Sequence, residues 1–168
     1  MKKIIVFLFL LSAAVNSQSV KQSDNIFNSP RLLFGYGVVS FFKFYENKTT
    51  VNIYHIGSVK FIRPIGNKFT LNAAIDFAAG GYKNYEMFHL GAGYKLLESN
   101  KFCGYVSVGG SAMGSNDGLE FATHLILSAE YMLSQNHTIG LDLRNFIGEN
   151  YAFSPVIYIS LNVGRKNK

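Results

Sequence analysis

Apolar and polar positions alternate along most of this chain with a period of two. The clearest run starts at Phe69: Phe69, Leu71, Ala73, Ile75 and Phe77 fall on one side, Thr70, Asn72, Ala74 and Asp76 on the other. Side chains of an extended strand point alternately to its two faces, so this run predicts a strand with one greasy and one polar face. Seven further runs read the same way, over 32–44, 51–63, 86–97, 102–113, 119–133, 139–144 and 154–163. From 86, Phe88, Leu90, Ala92, Tyr94 and Leu96 oppose His89, Gly91, Gly93 and Lys95; from 139, Ile139, Leu141 and Leu143 oppose Gly140, Asp142 and Arg144. No helical period intervenes, and the chain is predicted to be all-β.

Three segments repeat one another. They begin at His55-Ile56-Gly57, His89-Leu90-Gly91 and His124-Leu125-Ile126, pass a tight turn holding Asn67, Asn100 or Asn136, and re-enter an extended stretch; the histidines are 34 and 35 positions apart. A recurrence at that spacing marks a supersecondary unit that cannot bury its apolar face alone. Repeated hairpins build an up-and-down meander, which either closes or leaves two adhesive edges. Eight strands give a closed barrel whose interior side chains can just fill. The predicted fold is therefore an eight-stranded antiparallel up-and-down β-barrel. Tight turns are expected after strands two, four and six, and longer Gly- or aromatic-containing loops after strands one, three, five and seven. Short periplasmic turns alternating with longer outward loops would place both termini in the periplasm. Strand two is the awkward member. If His55 faces inward like its counterparts, Ser58 and Lys60 turn outward, and a bulge or local register shift is needed to return them.

Which face is wet decides the kind of barrel. In a soluble lipocalin-like barrel the apolar rows surround a ligand; in a transmembrane barrel they meet lipid and the polar rows fill the lumen. The polar face here is rich in small residues (Gly35, Gly37, Gly91, Gly93, Ser107, Gly109), which suits a crowded interior. Charged residues make up only 15% of the chain and aromatics another 15%, whereas a soluble exterior carries more charge. The charges on the polar face, Asp76, Lys95, Glu130, Asp142 and Arg144, are of both signs and are candidate lumen ion pairs. Tyr45, Tyr82, Tyr85, Tyr151 and Phe153 fall near the loop-side strand ends, where an interfacial aromatic girdle is expected.

The start of the chain reads as an export signal. Lys2 and Lys3 precede an apolar run over 4–11 and a small, polar stretch over 12–19, the pattern of a secretory signal peptide. The chain divides into a signal peptide (1–17), a flexible lead-in (18–31), the barrel (32–164) and a basic tail (165–168). Its one cysteine, Cys103, excludes an internal disulfide. The formal charge of +6 comes from scattered lysines and a short basic tail, so nucleic acid is not an expected partner. Acidic lipid head groups are the natural counter-ions.

The segment 32–164 resembles the small eight-stranded outer-membrane β-barrels, particularly the short porin-like and opacity-type proteins common in Bacteroidota. Its last strand, Ser154-Pro155-Val156-Ile157-Tyr158-Ile159-Ser160-Leu161-Asn162-Val163, is similar to the C-terminal strand that such barrels offer to the assembly machinery. The chain then continues Gly164-Arg165-Lys166-Asn167-Lys168 instead of ending on an aromatic. The resemblance implies a place in the outer membrane, with outer-membrane lipids and the assembly machinery as partners and an envelope protein partner unidentified. An eight-stranded lumen filled by those ion pairs is expected to be plugged, and a structural or adhesive role with no cofactor is expected. A soluble exported barrel binding an apolar ligand and a barrel component of a secretion or conjugation apparatus are the alternatives.

Two constellations bear on chemistry. His55, His89 and His124 occupy equivalent points of the repeat, and three imidazoles can hold a metal such as zinc; repeat symmetry explains their recurrence without one. The stretch 141–154 has a cadence similar to the lipid A deacylase barrels. Where the deacylases carry His-x-Ser-Asn, this chain has Arg144-Asn145-Phe146. Without a base beside a serine no nucleophile is activated, and no enzymatic activity is expected.

Overall fold

The structure, a computed structural model, describes residues 26–45, 48–80, 83–115 and 118–162. The expected signal peptide, Tyr82 and the basic tail lie outside these residues. A short 3-10 turn (Ile26–Asn28) leads into β1 (Arg31–Tyr45), β2 (Lys48–Ile65), β3 (Phe69–Gly80), β4 (Lys83–Glu98), β5 (Phe102–Ser115), β6 (Gly118–Met132), β7 (His137–Ile147) and β8 (Tyr151–Asn162). Each strand pairs antiparallel with the next, and β1 closes on β8 from Arg31↔Asn162 to Phe42↔Tyr151. Closure removes the two edges that an open meander would leave. Arg31 and Asn162 mark one end of the cylinder, the terminal end; the β1–β2, β3–β4, β5–β6 and β7–β8 connections mark the other, the hairpin end.

The alternating rows sort polar inward and apolar outward. On β3, Thr70, Asn72 and Asp76 are buried while Leu71 and Phe77 are exposed; Phe34, Ile53, Leu90, Val108, Phe121 and Ile157 continue the apolar belt around the outside. Each such side chain left in water forgoes about 1.5–3 kcal/mol of burial, and lipid supplies that burial to a transmembrane barrel.

β2 keeps one register along its length against both neighbours, so its parity is uniform. Tyr54, Ile56, Ser58 and Lys60 face the lumen and His55 faces outward, contrary to the inward His55 that the repeat suggests. His55 and Lys60 are an odd number of positions apart, so only one of them can enter an unbulged barrel, and the lumen holds a carboxylate for Lys60. His55 stacks instead on Tyr36 and hydrogen-bonds its hydroxyl at 2.7 Å. A register irregularity lies elsewhere, between Lys95 and Leu97 of β4, where Leu96 and Leu97 are both exposed.

The expected contrast in connection length is absent. Two positions separate β1 from β2, β3 from β4 and β5 from β6, and three separate β7 from β8; the terminal-end turns span 66–68, 99–101 and 133–136. The Gly- and aromatic-rich stretches read as loops largely extend the strands, because hairpin pairing satisfies their backbone groups. Nor are residues 26–30 a free lead-in. Ile26 and Phe27 are buried at the terminal end against Cys103 and Tyr105. Arg31 fastens the turn, donating from Nη1 to the Ile26 carbonyl at 3.0 Å and to the Ser29 carbonyl at 3.2 Å.

Toward the hairpin end the lumen is apolar, packed by Val39, Phe41, Tyr54, Met87, Met113 and Phe146. Tyr85, expected in the girdle, turns inward and stacks on Phe41 with ring centres 4.8 Å apart, because its parity is that of His89. Tyr151 packs on Phe42; the Tyr45 side chain lies outside the described residues.

Glycines make room where the wall is crowded. A Cβ at Gly109 would stand 2.0 Å from the Leu90 carbonyl oxygen and 2.7 Å from His124 Nε2, whereas one at Gly110 meets nothing within 4 Å. Gly109→Val is therefore expected to prevent closure and Gly110→Ala to permit it. The check is whether each variant retains the compact, fast-migrating form on unheated gel electrophoresis.

Candidate functional site

Below the apolar cluster lies a layer of four buried charges. Asp142 on β7 accepts from Lys60 Nζ of β2 at 2.9 Å and from Arg144 Nη2 at 3.0 Å, and from the Ser128 hydroxyl at 2.6 Å. Arg144 reaches across the cylinder to β3, donating from Nη1 to Asp76 Oδ2 at 2.6 Å, while its Nη2 also donates to Ser58 Oγ at 3.1 Å. Two cations thus face two carboxylates, all with side chains at most 3% exposed. Such a set is tolerable in a low-dielectric interior only when its members pair and hydrogen-bond. β3 and β7 lie on opposite sides of the barrel, so the Asp76–Arg144 pair braces the cylinder across its width.

A hydrogen-bonded chain leads away from this layer along β3, β4, β5 and β6. Asp76 Oδ2 lies 2.8 Å from His89 Nε2, His89 Nδ1 lies 2.8 Å from Ser111 Oγ, and Ser111 Oγ lies 2.8 Å from His124 Nδ1. A carboxylate only accepts, so His89 donates from Nε2; with that imidazole neutral, its Nδ1 accepts the Ser111 proton and Ser111 accepts from His124. Phe146 covers the pair of imidazoles, stacking on His89 with ring centres 5.1 Å apart. The order acid, imidazole, hydroxyl is that of a serine hydrolase. Here, however, the hydroxyl is buried at 4% exposure and committed to two imidazoles. The neighbouring amides belong to the β-ladders, so they are not gathered into an oxyanion hole.

Nearer the terminal end Arg31 Nη2 donates to Glu130 at 3.2 Å and to the Tyr105 hydroxyl at 2.8 Å. Thr138 donates to the second Glu130 oxygen at 3.1 Å and bonds Ser160. Lys95 sits at the rim, bonded to Asn28 and, at 3.2 Å, to Glu98, which ties the 3-10 turn to the wall.

Of the residues singled out in the sequence, Asp76, Asp142 and Arg144 meet in one layer, Glu130 and Lys95 bind partners in others, and His89 joins His124 without His55. Among the described residues no three His, Cys, Asp or Glu converge as metal ligands; the outward parity of His55 separates the set. Sequence reasoning missed Arg31, assigned to the lead-in, and Lys60, turned outward by the histidine repeat. It also missed Ser111 as the link between two histidines. Strict alternation along β2, weighed above repeat symmetry, would have found Lys60; nothing local marks the other two.

No family model matches this sequence, and no curated protein does. The fold does match solved structures. Ail, the attachment invasion locus protein of Yersinia pestis, aligns with a TM-score of 0.58 at 9% identity over 80% of this chain and 98% of its own. Neisserial surface protein A aligns with a TM-score of 0.61 at 6% identity over 79% and 96%. The outer membrane enzyme PagL aligns with a TM-score of 0.52 at 8% identity over 79% and 99%. The chain has the fold of the small eight-stranded outer-membrane β-barrels.

Asp142→Leu leaves Lys60 and Arg144 facing a single carboxylate, and is expected to cost about 3–5 kcal/mol. Adding Lys60→Met is expected to restore most of that loss, since coupled neighbours are not additive. Urea unfolding of the vesicle-inserted protein measures both.

Proposed function

We propose that this protein is a non-enzymatic barrel of the outer membrane, with a plugged lumen, periplasmic termini and a structural or adhesive role. The observation that carries the reading is the stacking of its interior. The apolar cluster around Phe41 and Phe146 lies over the Lys60–Asp142–Arg144–Asp76 layer, Arg31–Glu130 lies below that, and Phe27 lies at the base. The outward apolar belt supports a lipid setting over a lipocalin-like one, which would bind its ligand inside. Outer-membrane lipids and the assembly machinery are the partners this reading requires. β1 and β2 run to 15 and 18 residues, beyond the roughly 9–11 that cross a bilayer, and the surplus forms a projecting hairpin suited to contact at the cell surface.

A hydrolytic second reading draws on one observation, the order Asp76–His89–Ser111. Enclosure of Ser111 favours the first reading, in which the chain is a rigid filler of the lumen.

Two measurements test the proposal. Vesicles carrying the protein are expected to exclude sugars in a swelling assay, and free flux would contradict a plugged lumen. Ser111 is expected to escape labelling by a fluorophosphonate, and overexpression to leave lipid A acylation unchanged. Labelling at Ser111 together with a lost acyl chain would establish the hydrolytic reading.

A further inference from the structure

The apolar belt is interrupted on the wall formed by β4 to β7. There a notch of about 530 Å³ opens outward, its floor formed by Gly110 and Ala112 of β5 and its sides by Phe88 and Leu90 of β4, Phe121 of β6 and Ile147 of β7. The sides stand proud: Phe121 is 71% exposed, Ile147 61% and Leu90 55%. The floor is low because Gly110 has no side chain, and a Cβ placed there would meet nothing within 4 Å. The absence of a side chain at 110 is therefore not forced by crowding, unlike that at Gly109. Thr123 is the polar side chain on the outward lining, and its hydroxyl donates to the Ile147 carbonyl at 3.2 Å, leaving nothing in the notch that calls for a polar ligand.

We propose that this notch holds one acyl chain of a lipid from the leaflet at the hairpin end, retained there instead of exchanging with the surrounding bilayer. The inference rests on the membrane reading above and adds a specific site to it. Three features select the occupant. The notch is continuous with the lipid-facing belt, so hydrocarbon is what reaches it. Among the described residues no charged side chain lines it, so the chain and not a head group is what it recognises. A second barrel is convex and would touch the ridges of Phe121 and Ile147 without filling the space between them, whereas a flexible acyl chain reaches the floor and recovers the dispersion contacts that a void forfeits. The position of the notch matches the leaflet: Ile147 ends β7 at the hairpin end, and Gly110 and Phe121 lie in the hairpin-end halves of β5 and β6.

The test uses the full protein in dimyristoylphosphatidylcholine vesicles containing a phosphatidylcholine with a diazirine on one acyl chain, irradiated and mapped by mass spectrometry. Adducts are expected severalfold enriched at Gly110, Ala112 and Thr123 over the exposed belt residues Leu71 and Ile157. Gly110→Leu has room for its side chain, and is expected to lower labelling of the notch to the belt level while keeping the fast-migrating folded form. Even labelling around the belt, or notch labelling unaffected by Gly110→Leu, would overturn the proposal. Protein–protein adducts through Phe121 and Ile147 would overturn it too, by giving the surface to a second copy. A barrel that fails to insert would show neither heat-modifiable migration nor belt labelling, so failure of the membrane reading is told apart from failure of this one.

Discussion

The bond from Arg144 to Asp76 across the barrel, with Asp142 and Lys60 attached to it, is the interaction on which the rest depends. A closed sheet of eight strands encloses a space that must be filled, and in this protein ions fill the middle of it. Desolvating four charges costs several kcal/mol each unless every one is paired. The pairing therefore selects one register for β2, β3 and β7 together. A one-residue slip of any of them would turn a charge into the outer belt and leave its partner alone inside. The layer thus acts as a key for register as much as a source of cohesion.

From that layer the lumen grades in both directions. Toward the hairpin end the charges give way to the His89–Ser111–His124 chain, then to Phe146 and the aromatic cluster of Phe41, Tyr54 and Tyr85. Toward the terminal end they give way to Arg31–Glu130 and to the tucked 3-10 turn. Within that packing the Ser111 hydroxyl is enclosed and bonded to two imidazoles. Nucleophilic chemistry needs a path for substrate and donors for the developing charge, and the β-ladder has already used the amides.

The outer wall carries its own departures from uniformity. His55 sits on the outward-facing side, bonded there to the Tyr36 hydroxyl. The hollow at Gly110 interrupts the belt between Leu90 of β4 and Phe121 of β6. Polar or empty positions on such a wall are unfavourable in isolation, and each is resolved locally, by a hydrogen bond in one case and by room for hydrocarbon in the other.

Alternation along β3, β4 and β7 made the all-β class, the strand number and the inward-facing Asp76, Asp142 and Arg144 legible without coordinates, because a period of two is a local property that each strand expresses alone. The antiparallel order followed from short connections, which join neighbours directly. Other features are not written in any one segment. The histidine repeat pointed His55 inward, yet closure gave that place to Lys60, whose carboxylate partner comes from β7. Arg31 read as part of a loose leader until Glu130, distant in sequence, held it. Ser111 became the link between two imidazoles only when β4, β5 and β6 lay side by side. Periodicity determined which side of each ribbon was greasy; the curvature of the closed sheet decided which charges met, because partners across a lumen come from strands that share no local signal.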